Sequence, residues 1–257
     1  MLVIESKNNS LFKNIKKLKE KKYRTQSSTY LIEGLRFVDE AFKSGVKIET
    51  LLFTEEFKEK HLDFLEGKDI ENQIILTPSL LKELSFTGTP QGVMAVVEME
   101  NKDLKDGDIV VLVDKVQDPG NMGTIIRTAH AVGAAGIITT KGTVDIYNDK
   151  TLRSTMGSIF YLPVIEDNNL EKINELKEKG FKLVVSSLQG KNDFFNEDLS
   201  GNTIIAVGNE GNGVSEEVYG ISDIKVKIPM PGNAESLNVA VATSVMLYEK
   251  IRQNINK

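Results

Sequence analysis

The stretch Ile109–Arg127, IVVLVDKVQDPGNMGTIIR, decides the fold of the second half of the chain. Its first five residues, Ile109–Val113, form an apolar run that is typical of a strand buried on both faces of a parallel sheet. A turn with Pro119 and Gly120 follows, and the apolar spacing then predicts a helix over Met122–Val132. A buried strand, a short turn and a helix in this order predict an α/β domain.

The same alternation continues to the C-terminus. Strands are predicted over Gly136–Thr140, Leu162–Ile165, Lys182–Ser186, Thr203–Val207 and Ile224–Ile228, and helices over Asn148–Ser158, Leu170–Lys179 and Leu237–Gln253. This order predicts a mostly parallel sheet with helices on both sides. The last helix has Leu237, Val241, Val245 and Tyr248 on one face and Val239, Ala242 and Met246 on another. Because both faces are apolar, we expect one of them to lie at the interface of a homodimer.

The first half of the chain predicts a smaller α/β domain. Strands are expected over Ile48–Phe53, Ile74–Leu76 and Gly92–Glu98, and helices over Asn9–Arg24, about 30–43, Glu55–Leu65 and from Pro78 onward. The charged segment Glu100–Asp108 is poor in apolar residues and is the predicted linker. The two domains are therefore expected at residues 1–100 and 109–257.

Composition excludes several classes of protein. Of the 257 residues, 40% are hydrophobic and 27% are charged, as in globular proteins that bury a core. The chain has no cysteine, which excludes disulfides and thiolate chemistry, and only two histidines, so no metal site is expected. No apolar run approaches the roughly 20 residues that span a bilayer, and the N-terminus lacks a secretion signal, so a cytoplasmic protein is expected.

Charge is distributed unevenly along the chain. The net charge is −5, yet residues 1–24 carry eight Lys or Arg residues and two acidic ones. Such a basic element on a mildly acidic body is compatible with nucleic-acid phosphates at one end of the protein. The alternative is a solvated helix face. The candidate contacts are Lys16, Lys17, Lys21, Lys22 and Arg24.

Three turns rich in glycine and asparagine each follow a predicted strand. They are Asp118–Arg127 (DPGNMGTIIR), Gly208–Gly213 (GNEGNG) and Ile228–Val239 (IPMPGNAESLNV). The glycines of a single turn of this kind are explained by the turn conformation alone. Ligands of parallel sheets, however, bind beyond the carboxyl ends of the strands, where such turns meet. The three turns together therefore predict one site. A P-loop motif and a GxGxxG motif after a strand are both missing from the sequence, which argues against a P-loop NTPase and a common NAD-binding domain.

In this order the three turns resemble the motifs of the SpoU/TrmH family of RNA ribose 2′-O-methyltransferases, within the SPOUT superfamily. The motif N-x-G-x-x-x-R is matched by Asn121–Arg127, G-x-E-G-x-G by Gly208–Gly213, and I-P-M-x-G-x-x-x-S-L-N-V by Ile228–Val239. The match extends from about Ile109 to the C-terminus. The first half is similar to the ribosomal-protein-like substrate-binding domain of some members, notably at Thr89–Val93.

This resemblance implies a fold and a reaction that periodicity alone does not give. Connection rules predict an unknotted doubly wound sheet, whereas the family resemblance implies a SPOUT α/β domain with a trefoil knot. It also implies an S-adenosylmethionine-dependent enzyme that methylates a ribose 2′-hydroxyl of 23S ribosomal RNA. The alternatives are the same reaction on tRNA, and an RNA-binding protein without catalysis.

The resemblance also assigns roles to residues of the three turns. The implied cofactor contacts are Val207, Gly208, Ile228, Pro229, Met230 and Leu237, and the implied catalytic set is Arg127, Asn121, Glu210, Ser236 and Asn238. A guanidinium stays protonated, so Arg127 is expected to orient the 2′-hydroxyl and a phosphate and not to act as a base. A surface salt bridge is the alternative for Arg127. Glu210 is expected to pair with Asn121 or to orient Arg127, with a structural role in the turn as the alternative. Ser236 and Asn238 have helix capping as their alternative.

Overall fold

Two separate sheets organise the chain, one in each half. The computed structural model describes residues 2–66, 68, 70–187, 192–232 and 234–255. Contacts divide the chain into two units. Unit 1 comprises Met1–Glu100 and Tyr147–Arg153, and unit 2 comprises Asn101–Ile146 and Ser154–Lys257. The short segment Tyr147–Arg153 thus belongs to the N-terminal unit although it lies far along the sequence.

Unit 1 contains a five-stranded mixed sheet. Its strands are β1 (Leu2–Ile4), β2 (Thr29–Glu33), β3 (Ile48–Phe53), β4 (Asn72–Leu76) and β5 (Val93–Glu98). They are ordered β1-β4-β3-β5-β2, and β5 runs antiparallel to both of its neighbours. The helices are α1 (Ser10–Lys17), α2 (Lys21–Ser27), α3 (Leu35–Ser44), α4 (Glu55–Lys60), α5 (Leu62–Leu65) and α6 (Pro78–Leu84).

Helices were overpredicted in unit 1. The residues from Tyr30 to Glu33 form strand β2 and not the start of a helix, because Tyr30, Leu31 and Ile32 are all buried against the sheet, where β2 pairs with β5. Gly34, with φ +97°, then turns the chain into α3. β-branched and aromatic side chains favour strands. Burial against the sheet therefore outweighs the apolar spacing that predicted a helix here.

Two predicted helices of unit 1 are broken, and strand β1 was not predicted. The predicted helix Asn9–Arg24 is interrupted between α1 and α2, where the guanidinium of Arg24 donates to the carbonyls of Leu18 and Lys19 at 2.8 and 2.9 Å. A side chain thus takes the place of the helical amide donors. The predicted helix Glu55–Leu65 is divided at His61, whose φ and ψ of −132° and 41° are not helical.

Unit 2 contains a seven-stranded sheet, parallel throughout. Its strands are β6 (Ile109–Val113), β7 (Gly136–Thr139), β8 (Val164–Glu166), β9 (Lys182–Ser186), β10 (Asn192–Asp193), β11 (Thr203–Val207) and β12 (Ile224–Lys227), ordered β10-β12-β9-β11-β6-β7-β8. The helices of this half are α7 (Pro119–Ala131), α8 (Asp149–Thr155), α9 (Glu171–Glu178), α10 (Glu216–Gly220) and α11 (Val239–Ile255).

The apolar run Ile109–Val113 forms β6 and lies beside β11 in the interior of this sheet. Every residue of β6 and of β11 is buried, and the two strands pair in register from Ile109 opposite Thr203 to Val113 opposite Val207. Four strands have the predicted bounds: Ile48–Phe53, Ile109–Val113, Lys182–Ser186 and Thr203–Val207. The trefoil knot stays a prediction.

No helix among the described residues combines the length and the apolar composition that crossing a membrane requires.

Candidate functional site

The first of the three turns forms the beginning of α7. The side chain of Asp118 caps the helix by accepting a hydrogen bond from the amide of Asn121 at 2.8 Å, and Pro119 occupies the first helical position. Both are favoured at helix starts, because the cap satisfies a free amide and proline has none to satisfy. The helix therefore starts three residues before the predicted Met122, which places Asn121 in its first turn at the edge of the sheet.

The second turn is closed by its own backbone. Asn209 and Gly213 exchange two backbone hydrogen bonds of 2.8 and 2.9 Å. A Cβ at Gly208 would lie 2.1 Å from the carbonyl carbon of Gly213, so only glycine fits where the turn leaves β11. The Asn209 side chain donates to the carbonyl of Lys115 at 3.0 Å, which ties this turn to the end of β6.

Glu210 projects from this turn onto the first one. Its carboxylate accepts hydrogen bonds from the Asn121 side chain at 3.0 Å and from the amides of Asp118 at 3.1 Å and Gln117 at 3.3 Å. Burial raises the pKa of Glu210, but the hydrogen bonds from Asn121 and from backbone amides outweigh that effect and hold the pKa below its ordinary value. Glu210 is therefore a carboxylate, and the predicted pairing with Asn121 is present in the structure.

Asn238 brings the third turn to the same point. Its side-chain nitrogen donates to Oδ1 of Asn121 at 2.9 Å, and its own Oδ1 accepts from the amides of Ala240 and Val241 at 2.9 and 3.3 Å. Asn238, and not Ser236, is thus the cap of α11. One chain of hydrogen bonds, Glu210–Asn121–Asn238, joins the three motifs. We call these three residues the polar chain.

Arg127 and Ser236 lie outside the polar chain. Arg127 is exposed on α7, six residues beyond Asn121. Within the described residues it forms no ion pair, so the alternative of a surface salt bridge has no support. The Glu210 carboxylate is held by Asn121 and two amides and not by Arg127. Ser236 is exposed in the third turn. Both side chains are accessible to a substrate.

The predicted cofactor contacts lie at the carboxyl edge of the parallel sheet. Val207 is the buried last residue of β11, and Gly208 follows it. The half-buried residues Ile228, Pro229 and Met230 follow β12, which is separated from β11 only by β9. Leu237 is 37% exposed. Partly exposed apolar side chains beside turn backbone fit an adenine ring, whose faces are apolar and whose edge takes hydrogen bonds.

Asp114, a fully buried side chain directly after β6, was not predicted as a site residue. It accepts hydrogen bonds of 2.5 Å from the Thr140 hydroxyl and from the amide of Ser215, which follows the second turn. Asp114 thereby fixes the far end of the turn that carries Glu210. Its sequence signal is an acidic residue immediately after an apolar strand run, a position that faces the ligand side of such sheets.

In unit 1 the predicted nucleic-acid contacts divide into two groups. Lys16, Lys17, Lys21 and Lys22 are exposed on α1 and α2, and we call them the basic cluster. Lys16 pairs with Glu83. The ammonium groups of Lys17 and Lys22 lie 5.5 and 5.7 Å from the centre of the Tyr23 ring.

Arg24 differs from the basic cluster, because it is only 6% exposed. Its guanidinium holds the carbonyls of Leu18 and Lys19 between α1 and α2. The structure therefore supports a structural role for Arg24 and not the predicted contact with RNA.

Metal ligands show no clustering in the part of the chain that the structure describes: no group of three or more His, Asp or Glu side chains there is arranged to hold an ion.

Comparison with known proteins matches both halves of the chain to families. Residues 108–248 match the model of the SpoU rRNA Methylase family, and residues 9–95 match an MRM3-like substrate binding domain. The first match contains all three turns and the polar chain. The predicted combination of a substrate-binding domain and a SPOUT α/β domain is therefore confirmed.

Individual relatives indicate the same family. The chain is 39% identical over 251 residues to a 23S rRNA (guanosine(2553)-2′-O)-methyltransferase of Bacillus subtilis, with 96% of this chain and 98% of the relative covered. The SpoU methyltransferase AviRb of Streptomyces viridochromogenes, solved in complex with AdoMet, superposes with a TM-score of 0.89 at 34% identity and covers 96% of this chain and 99% of its own.

A TrmH/SpoU tRNA modifying enzyme of A. aeolicus also has 34% identity, but it covers only 59% of this chain and 78% of its own, with a TM-score of 0.52. These findings confirm the predicted class of enzyme, an RNA 2′-O-methyltransferase that uses S-adenosylmethionine. The chain belongs to the SpoU rRNA methylase family.

Proposed function

We propose that this protein transfers the methyl group of S-adenosylmethionine to a ribose 2′-hydroxyl of 23S ribosomal RNA. The observation that carries the proposal is the polar chain, because it holds all three family motifs together at the ligand edge of the sheet. The Bacillus subtilis relative, which is named for this reaction on 23S rRNA, aligns over both halves of the chain.

The cofactor is proposed to lie between the second and third turns. S-adenosylmethionine supplies a methyl group that is already activated by its sulfonium charge. Ile228, Met230 and Leu237 would pack against the faces of the adenine. The backbone after Val207 and Gly208 would form hydrogen bonds with the polar edge of the cofactor. The protein's own task is then to place the acceptor hydroxyl in line with the methyl group.

Arg127 is proposed to position that acceptor. Its exposed guanidinium has no ion pair among the described residues and is therefore available to a phosphate and to the 2′-oxygen of the substrate ribose. Asn121, the middle residue of the polar chain, lies in the same helix α7, so the polar chain fixes the start of that helix and the place from which Arg127 projects. Glu210 is held by three donors, and its proposed role is positioning.

Unit 1 is proposed to bind the RNA. The basic cluster would contact phosphates, and such contacts orient the RNA without reading its sequence. The match of residues 9–95 to a substrate binding domain supports this division of labour.

Methylation of tRNA is the second candidate function. The tRNA modifying enzyme of A. aeolicus covers 59% of the chain, so about two fifths of the chain has no counterpart in that match. A 23S rRNA methyltransferase aligned over 96% of the chain favours the ribosomal substrate.

A homodimer formed through α11 is proposed as the working assembly. Val241, Tyr248 and Ile255 are spaced at seven-residue intervals and are 49%, 56% and 77% exposed, while Met246 and Leu247 on the opposite face are buried. A row of exposed apolar side chains on one helix face favours contact with the same row on a second copy.

The function is tested by supplying the purified protein with S-adenosylmethionine carrying a labelled methyl group and either unmodified 23S rRNA or tRNA transcripts. We expect label in 23S rRNA, at one ribose position that resists alkaline hydrolysis because its 2′-hydroxyl is blocked. Label in tRNA alone would establish the second candidate function. Binding of 23S rRNA with no transfer to either RNA would establish a binding protein and contradict the proposal.

A further inference from the structure

Unit 1 contains a cleft whose lining includes no residue of the three turns and none of the basic cluster. It has a volume of about 530 Å³ and lies between the beginning of α3, the helix α4 and the segment 90–92. This volume is in the range of sites that take small ligands. Its lining includes Arg36, Phe57, Lys60, His61, Gln91 and Gly92.

The walls of the cleft are fixed by local contacts. The side-chain oxygen of Gln91 accepts a hydrogen bond of 2.9 Å from the amide of Leu35, which ties the segment 90–92 to the first turn of α3. Gly92 has φ +84°, and a Cβ there would lie 3.0 Å from Oγ1 of Thr54 and 3.1 Å from Cβ of Phe57. The backbone therefore packs closely against α4 at this point, and the cleft has a defined shape in the protein alone.

One wall is aromatic. The rings of His61 and Phe57 lie with their centres 4.5 Å apart and their planes inclined by 34°. Phe57 is buried, whereas His61 is half-buried and lines the cleft. Aromatic side chains of this kind stack on the unpaired bases of RNA.

A nucleotide also needs a cation for its phosphate, and Arg36 provides one. Lys60 and Glu56 also line the cleft, and they pair with each other at 2.7 Å. Arg36 is exposed, and no ion pair engages it in the described ranges. A planar guanidinium binds phosphate oxygens through two parallel hydrogen bonds.

We propose that this cleft takes one unpaired nucleotide of the RNA substrate, with its base against His61 and its phosphate on Arg36. The inference rests on the proposed function in so far as the occupant belongs to the RNA that the protein methylates. Sequence-specific RNA recognition uses such splayed bases, since the edges of paired bases in an RNA helix are poorly accessible. The cleft therefore favours RNA in which a base is unpaired, while the basic cluster contacts phosphates of any RNA.

The test uses the full chain with Arg36→Ala and His61→Ala, each compared with Lys43→Ala. Lys43 is an exposed cation on the same helix as Arg36, lies outside the cleft lining and carries the same charge. Affinity is measured for unmodified 23S rRNA transcript, and S-adenosylmethionine binding is measured in parallel to show that unit 2 is intact. We expect both cleft variants to lose affinity about tenfold, as for one stacking or charged contact, and Lys43→Ala to stay within about twofold.

A second measurement locates the contact in the unaltered protein. A 23S rRNA transcript containing 4-thiouridine is crosslinked by light, and the attached peptides are identified. We expect attachment in the peptide that holds Phe57 and His61. Cleft variants with unchanged affinity, or crosslinks confined to other parts of unit 1, would overturn the cleft proposal and leave the proposed function standing. A wild-type protein that binds no 23S rRNA would overturn both.

Discussion

Arg127 is the single residue on which the proposed reaction depends most directly. Replacing it with alanine removes the cation proposed to orient the acceptor, but it leaves the polar chain and the second and third turns in place. We therefore expect Arg127→Ala to lower kcat about 100-fold or more while the Kd for S-adenosylmethionine, measured by calorimetry, changes by less than about twofold. Thr124→Ala, which changes an exposed residue one turn earlier in α7, is the matched control. Near-normal turnover of Arg127→Ala would remove Arg127 from the mechanism.

Glu210 gives a prediction about pH. Its pKa in the folded protein lies below the ordinary 4.5, so its hydrogen bonds stabilise the folded state fully above pH 4.5, and this stabilisation is lost as the pH falls through the lowered value. Glu210→Gln has no such titration. We expect the variant to be less stable than the wild type at neutral pH and the difference to shrink in acid, measured by denaturant unfolding on both sides of pH 4.5. A constant difference at every pH would show that the carboxylate charge contributes nothing.

The residues that could be predicted from sequence are those in contiguous motifs. Asn121, Glu210 and Asn238 each stand in a recognisable turn, and one of the two partners considered for Glu210 was correct. The link between Asn121 and Asn238 joins residues 117 positions apart, and no local pattern specifies it. Asp114 escaped notice for the same reason, since its partners Thr140 and Ser215 are distant in sequence.

Among the structural elements, the second turn restricts which residue can occupy its first position, Gly208. The backbone of the turn itself leaves no room for a side chain there. The family resemblance implies that Gly208 contacts the cofactor, and the turn itself adds a limit, because the carbonyl carbon of Gly213 and the amide nitrogen of Val214 would each lie 2.1 Å from an added Cβ. Gly208→Val is therefore expected to open the turn, displace Glu210 and abolish cofactor binding by calorimetry. Gly220→Ala, at a glycine with no atom within 4 Å of an added Cβ, should bind normally. Cofactor binding by Gly208→Val would show that the turn rearranges without cost to the site.

Two central strands of unit 2 were predicted with their observed bounds, and the reason is physical. The runs Ile109–Val113 and Thr203–Val207 are buried on both faces, so their apolar character alone identifies them and their bounds. Helical ends depend on particular contacts. The break between α1 and α2 requires the buried Arg24, and the strand β2 requires its partner β5, which lies some sixty residues later in the chain.

For the whole molecule, the apolar row on α11 predicts self-association. Substituting Val241 and Tyr248 with glutamate places charges in the proposed interface without touching the buried face of the helix, which carries Met246 and Leu247. We expect the wild type to be a dimer by light scattering at micromolar concentration and the double variant to be a monomer that retains its far-UV circular dichroism. A monomeric wild type would contradict the proposed assembly.

The basic cluster makes a prediction that involves both units. If Lys16, Lys17, Lys21 and Lys22 neutralise RNA phosphates, replacing all four with alanine removes up to four contacts. The slope of log affinity for 23S rRNA against log salt should then flatten by about three. A second protein, with Lys105, Lys141, Lys172 and Lys179 of unit 2 replaced, loses the same charge and serves as the control. Because Lys16 already pairs with Glu83, its own share should be smaller than that of Lys21. If the two quadruple variants lose affinity and slope equally, net charge and not the position of the cluster governs binding, and the lysines of α1 and α2 are a solvated helix face.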